Sequence, residues 1–432
     1  MTDERDVTVN VPMLARVEGE GALHLHIQGD RIEELRLQIY EPPRLFEKFL
    51  EGRHYDEVPD IVARICGICP VAYQMSAVQA LEDIIGFTPQ PWLRAMRRLM
   101  YCGEWIESHS LHIHLLAAPD YLGFDNAAAL ARDYPDEVRR GLRLQLLGND
   151  IIKLLGGRSV HPVGVCVAGF HRAPELSQVT ALSLRLQEAL DDAAALITWV
   201  AGFDLPQDEQ DFTCVAMRHR HEYPMNEGRL ISSAGLDIAV DEFADHFQEH
   251  QVPHSTALHA LLHGHPYLVG PLARLNLNLD HVPPALRGLL DATGINFPSR
   301  NMFHSIVARA AEIYLAIHEA KTLLDAYQYP SASRVEVQMP AGIGYGCTEA
   351  PRGILWQRIA VDDQGLIEQA TIIPPTSQNQ ARIEEDLRLS LQGLGLHHDD
   401  ALLRLHGEKV IRNYDPCISC ATHFLKLDVT GR

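Results

Sequence analysis

The chain has 432 residues, 46% hydrophobic and 22% charged, which is ample for a large buried core. Its formal net charge is −20, and no Lys/Arg cluster reverses it, so the basic face that nucleic-acid phosphates require is excluded. No run of about 18 apolar residues occurs and the start, "MTDERDVTVN", is polar, so neither a membrane span nor a signal core is expected and a cytosolic location follows, unless a partner's signal exports the chain.

In chain order, residues 7–40 read as extended. The segment "ALHLHIQGDRIEELRLQIYE" alternates apolar and polar positions, with Gly29-Asp30 as the turn between two strands. Pro70 opens a helix running to about Ile85, and Gly86 suits its C-terminal end. Residues 91–117, 176–201 and 304–327 carry apolar residues at helical spacing. The stretch 202–298 is mixed and rich in His, Pro and Gly, and 356–374 returns to short strands. No repeat, low-complexity tract or linker interrupts the chain. The expected architecture is mostly α with small β-sheets near the ends (α+β), with 1–432 forming a single domain.

Eight cysteines are present. Four are scattered: Cys102, Cys166, Cys214 and Cys347 fall in mostly apolar surroundings and read as inert core residues. The other four form two Cys-x-x-Cys pairs, in "ARICGICPVAYQ" at 63–74 and "YDPCISCATHF" at 414–424. Gly67-Ile68 lets a turn aim Cys66 and Cys69 at one point. Pro70 places Cys69 near a helix N-terminus, where the dipole stabilises a thiolate. Pro416 stiffens the approach to Cys417 and Cys420. If the pairs meet, four soft donors suit zinc, iron or nickel. Zinc ribbons separate their pairs by about 15–20 residues, whereas here 417 − 69 = 348 positions intervene. Spacing alone leaves structural zinc and a catalytic metal open, with a redox dithiol as a third option.

The flanking residues narrow this. "RICGICP" and "DPCISCATH" together resemble the large subunit of nickel–iron hydrogenases. Further matches run in order: "RVEGEG" at 16–21, "PRLFEKFLEGR" at 43–53, "GGRSVHPVG" at 156–164, "EAPRG" at 349–353 and "PPTSQN" at 374–379. The details look most like the soluble, NAD(P)-linked group that includes the sulfhydrogenases.

The resemblance implies the following. Cys66 and Cys417 would be terminal nickel ligands, and Cys69 and Cys420 would bridge to an iron carrying carbon monoxide and cyanide. Hydrogen would be cleaved heterolytically, with the Cys417 thiolate as first base and Glu18 of "RVEGE" as the next proton carrier. Arg352 and Thr376 would supply donors to the cyanides, Arg352 would also lie over the open metal face, and Pro351 would wall the pocket. Glu47, the Ile372 carbonyl and His423 would hold a second metal, magnesium or iron, near the C-terminus. A maturation endopeptidase would remove Phe424–Arg432 after nickel chaperones deliver the metal.

Two positions depart from the family pattern: Tyr73 and Gln357 stand where His is common. His109 and His112 of "ESHSLHIHLL" share a helix face and tempt as a metal site, but hydrogen-bonded core histidines are the better reading. No Gly-x-Gly-x-x-Gly follows a strand, and the scattered cysteines do not suit an iron–sulfur cluster. Electrons would therefore leave through an iron–sulfur small subunit, and then through flavin and ferredoxin-like subunits that reach NAD(P). The competing expectations are a non-catalytic relative of the complex I type, which lacks the cysteine ligands, and a zinc-stabilised scaffold.

Overall fold

A computed structural model describes residues 6–422. Strands Asp6–Val11, Gly21–Gln28 and Arg31–Ile39 form an antiparallel meander in chain order. The period of two works here as expected: Leu23, Leu25 and Ile27 point into the core while His24 and His26 do not. Gly29 takes φ +60° at the turn. The register then sets Leu23 opposite Leu37 and Leu25 opposite Leu35.

Helix Pro70–Ile84 starts at its proline and is followed by Gly86 at φ +61°. The long helices are Pro91–Leu111, Pro135–Gly156, Leu176–Ala201 and Ser305–Asp325. Pro91–Leu111 runs directly into a π-helical turn, His112–Ala117, so the expected single segment 91–117 changes its winding at the histidines. Pro91–Leu111 packs on both Pro135–Gly156 and Ser305–Asp325, and the latter packs on Leu176–Ala201. Ser305–Asp325 is buried on nearly every side, as a helix at the centre of a bundle must be.

Strands Gly342–Ala350, Gly353–Val361 and Ile367–Ile373 make a second antiparallel sheet. Its first strand lies directly on helix Pro70–Ile84. A Cβ at Gly344 would sit 1.9 Å from the Ala80 carbonyl oxygen, and one at Gly346 2.0 Å from that of Ser76. Only glycine permits this approach, which fixes the helix carrying the first cysteine pair.

Small sheets also occur mid-chain. Val215–Arg218, Arg229–Ser232 and Asp237–Ile238 form one, and hairpin Phe247–His250 with His259–Leu262 another. Sheets are thus not confined to the chain ends, because the mixed stretch 202–298 folds into short strands around its turns. Helices Pro375–Leu394 and Asp400–Asn413 lead to the second cysteine pair. One hydrophobic cluster extends from Val9 to Ala421. Among the described residues, no helix is long and apolar enough to cross a membrane.

Candidate metal centre

Cys69 stands at the N-cap of helix Pro70–Ile84, and Cys417 at that of the short helix Ile418–Ala421. The two turns face each other, and the ligand atoms of Cys66, Cys69, Cys417 and Cys420 lie within 4.8 Å of one another. Cys66 Sγ is 3.4 Å from Cys417 Sγ, Cys69 Sγ 3.7 Å from Cys420 Sγ, and Cys417 Sγ 2.8 Å from Cys420 Sγ. All four are free thiols and at most 4% exposed. Cys66 Sγ accepts the N–H groups of Ile68 and Cys69. Hydrogen bonding to Cys417, then Cys420 and Cys69, pulls the Cys66 thiol well below its ordinary range, whereas burial pushes Cys417 up.

The "RVEGEG" motif closes the site from the N-terminal side. Glu18 bridges to Cys417, its carbonyl accepting the Ile418 N–H at 3.0 Å. Its carboxylate Oε2 accepts from Cys417 Sγ at 3.1 Å and from the Ser419 N–H at 3.1 Å. Gly19, at φ +91°, is required here: a Cβ would lie 2.6 Å from Ile418 Cβ. Arg44 ties the two pairs together, donating to the carbonyls of Ile65 and Ser419.

Arg352 is buried beside the thiols. Its Nε donates to the Asp415 carbonyl at 2.6 Å and its Nη2 to the Asp415 carboxylate at 3.1 Å. Burial opposes the guanidinium charge, but Asp415 and then Cys417, Cys69 and Cys66 raise its pKa well above the ordinary value. Nη1 is buried and has no hydrogen-bond partner among the described residues. Asp415 also faces Arg309 at 3.5 Å. Its carboxyl is lowered: burial works against ionisation, but Arg352, His112 and Arg309 outweigh it. The Pro351 carbonyl accepts from Arg274 Nη2 at 2.9 Å, and Arg274 also pairs with Glu312 and Glu349, fixing the "EAPRG" turn. Thr376 Oγ1 accepts the Cys417 N–H at 3.0 Å.

Glu47 Oε1 accepts the Ile372 N–H at 2.6 Å, so these two expected ligands of the second metal are neighbours. His423 and the tail Phe424–Arg432 lie outside the described residues.

The departures from the family pattern sit together. Gln357 Nε2 donates to the Tyr73 carbonyl at 2.9 Å and to Ser76 Oγ at 2.8 Å. His109 Nε2 meets Glu312 at 2.9 Å and His112 Nε2 meets the Arg412 carbonyl at 2.7 Å, in accord with core histidines held by hydrogen bonds. Of the scattered cysteines, Cys102, Cys214 and Cys347 are buried and Cys166 is half-buried, and burial raises all four thiols.

Three contributors escape sequence reasoning. Asp415 lies inside "DPCISC", where the following proline is the more visible feature. Glu104 accepts the Val71 and Ala72 N–H groups at 2.6 and 3.1 Å, capping the helix after Cys69. Arg44 lies within "PRLFEKF" with nothing in the motif to mark it. Their shared signal is an ionisable side chain turned inward onto backbone or buried partners, and such placement is not written in sequence.

The donor set fits a nickel–iron group: four clustered thiols, a carboxylate on one of them, and a buried arginine with a free N–H. The sequence profile of the Nickel-dependent hydrogenase family matches residues 44–139 and 260–423. The chain is 33% identical over 425 residues to the alpha chain of sulfhydrogenase 1 from Pyrococcus furiosus, covering 97% of this chain and 98% of that one. It is 28% identical over 423 residues to the alpha chain of sulfhydrogenase 2 from the same organism, covering 97% and 100%. Among solved structures, an NAD+-reducing NiFe hydrogenase in its H2-reduced state superposes with a TM-score of 0.86 at 27% identity, covering 98% of this chain and 100% of that chain.

Proposed function

The chain belongs to the nickel-dependent hydrogenase family, and on that footing we propose that it is the catalytic large subunit of a cytoplasmic nickel–iron hydrogenase that cleaves H2 reversibly and passes the electrons through an iron–sulfur small subunit to NAD(P). The observation that carries this reading is the closure of two distant thiol pairs into one buried cluster, with Glu18 on Cys417 and Arg352 alongside.

Cys66, Cys69, Cys417 and Cys420 would hold the nickel, with Cys69 and Cys420 shared with an iron bearing carbon monoxide and cyanide. When bound, that group supplies the redox-active metal at which H2 is polarised. The protein's own part is proton handling and charge. Cys417 Sγ holds the first proton, and Glu18 Oε2, 3.1 Å away, takes it outward from a half-buried position. The Ser419 N–H keeps that carboxylate aimed. Asp415 holds the Arg352 guanidinium by Nε and Nη2, so that Nη1 would be available to donate to a cyanide of the bound group. Thr376 Oγ1 accepts the Cys417 backbone N–H and so positions that residue, and its own O–H would remain to donate to a cyanide.

Glu47, the Ile372 carbonyl and His423 would hold magnesium or iron, with residues 1–432 acting as one domain until Phe424–Arg432 is removed. Among the described residues, Cys102, Cys166, Cys214 and Cys347 do not gather into a second cluster, which favours electron exit through partner subunits. The likeness to an NAD+-reducing enzyme supports NAD(P) as the terminal acceptor.

The test is an infrared spectrum of protein purified with its partners from its native host. Carbon monoxide and cyanide bands, lost on Cys420→Ser, are expected. Zinc in place of nickel, with no such bands, would replace this reading with the scaffold.

A further inference from the structure

A second cluster of metal-ligating side chains lies away from the cysteines. The hairpin Phe247–His250 and His259–Leu262 packs on helix Pro375–Leu394, which also borders strand Arg31–Ile39. Where these elements meet, ligand atoms of His254, His259 and Glu384 lie within 4.8 Å of one another. His254 Nε2 is 2.8 Å from Glu384 Oε1, and both side chains are about one-fifth exposed, at 19% and 20%. The Leu37 N–H donates to the same carboxylate oxygen at 2.9 Å and so orients it.

His259 is the independent observation. It is 2% exposed, and its Nε2 is buried with no hydrogen-bond partner among the described residues. A buried imidazole nitrogen left without a partner costs about 1–3 kcal/mol, and a bound ion is one of the few explanations for retaining it. Burial, aided by the nearby His250 and His254, holds this imidazole neutral, with a pKa pushed down to about 3. Neutral imidazole is the ligand form. None of the three residues belongs to the thiol cluster.

We propose that His254, His259 and Glu384 form a separate divalent-metal site of the zinc class, with its fourth position open to solvent. Two imidazoles and one carboxylate are a donor set that zinc accepts with one position left for water. Ligand atoms of a tetrahedral zinc stand roughly 3.4 Å apart, given bonds of about 2.0–2.1 Å, so closing from 4.8 Å takes a small side-chain shift. A metal taken by His254 Nε2 and Glu384 Oε1 would replace the hydrogen bond between them, the neutral imidazole then carrying its N–H on Nδ1. A surface cleft lined by Gln38, Ile39, Gln251, Val252 and Ser255 reaches the site at His254. Occupancy pins the hairpin to the helix whose first turn carries Thr376, the residue bonded to the Cys417 N–H.

The experiment uses the matured full chain, dialysed free of loose metal and then titrated with Zn2+ and, separately, with Co2+ as an optical probe. One zinc per chain beyond the purified metal content is expected. Affinity should fall by about 10–100-fold or more in His254→Gln and in Glu384→Gln, since even a supporting partner is worth that much. Both positions are partly exposed, so neither variant threatens the fold in the way His259→Gln does. Bound cobalt should give ligand-field bands without sulfur-to-cobalt charge transfer. Sulfur bands would place the metal on cysteines, and equal zinc uptake by wild type and both variants would place it elsewhere. Either result overturns the proposal when the preparation carries one nickel per chain, because vacant thiols would themselves take zinc and cobalt.

Discussion

Glu18→Gln separates proton transfer from every other role of that side chain. The amide has the same size, and its oxygen can still accept the Ser419 N–H now held at 3.1 Å. It cannot take a proton from Cys417 Sγ, which lies at the same 3.1 Å. Exchanging a charge-assisted hydrogen bond for a neutral one lowers stability by about 1–2 kcal/mol, which a large buried core absorbs. Loss of a positioned general base lowers the rate by about 10²–10⁴-fold, or roughly 2.7–5.4 kcal/mol at about 1.36 kcal/mol per decade. The assay is hydrogen oxidation with an artificial dye, together with D2/H+ exchange, on preparations of equal nickel content. Both rates should fall by that factor, and Glu18→Asp should restore part of each. A Glu18→Gln enzyme with full nickel and more than about a tenth of wild-type exchange would refute the assignment, because proton exit would then bypass residue 18.

Asp415→Asn strips the countercharge from buried Arg352 and Arg309, so thermal unfolding should reveal a loss of about 3–5 kcal/mol; an unchanged Tm would mean the two arginines do not need it. Gly346→Ala drives a methyl to 2.0 Å from the Ser76 carbonyl. Overpacking of about 1–3 kcal/mol or more is expected, with poor soluble yield, while Gly52→Ala, with nothing within 4 Å of its Cβ, should lose only what its positive φ of +77° costs. Stability should also fall with acid. Burial lowers His109 to about 4 and His112 to about 3, so below pH 6.5 the unfolded chain binds protons that the folded one refuses. Each contributes about 1.4 kcal/mol per pH unit, present in full above pH 6.5 and lost as pH falls from there towards the folded value. Urea midpoints at pH 7 and pH 5 should differ, and His112→Gln should shrink the difference.

Legibility follows burial pattern. The meander is plain in the sequence because Leu23, Leu25 and Ile27 alternate with polar neighbours, and the helix at Pro70 is plain because proline and Gly86 bracket it. Strand Gly342–Ala350 is hidden: its glycines lower strand propensity, and the need for them comes from a helix 260 or more residues earlier in the chain. Helix Pro375–Leu394 is hidden for the opposite reason. Thr376, Ser377, Gln378, Asn379 and Gln380 are polar yet buried, so no apolar stripe marks its first turns, and the stripe begins only at Ile383, Leu387 and Leu391. At the candidate metal centre the four clustered thiols are readable from their spacing and flanks. Asp415 is not, since its importance lies in two arginines placed by other elements.

The pairing of Cys66 with Cys417 joins residues 351 positions apart. Translation at about 5–20 residues per second therefore leaves the first thiol pair without the second for roughly 20–70 s. During that interval helix Pro70–Ile84 can already rest on its early neighbours, holding two thiols toward an open mouth. Closing a loop of this length costs about 5 kcal/mol of chain entropy, so the last segment docks only after the body it docks on has formed. The order of synthesis thus makes the C-terminal turn a door: the wall that Ile418 builds against Gly19 and Gly21 is the last part of the cluster's enclosure to be made.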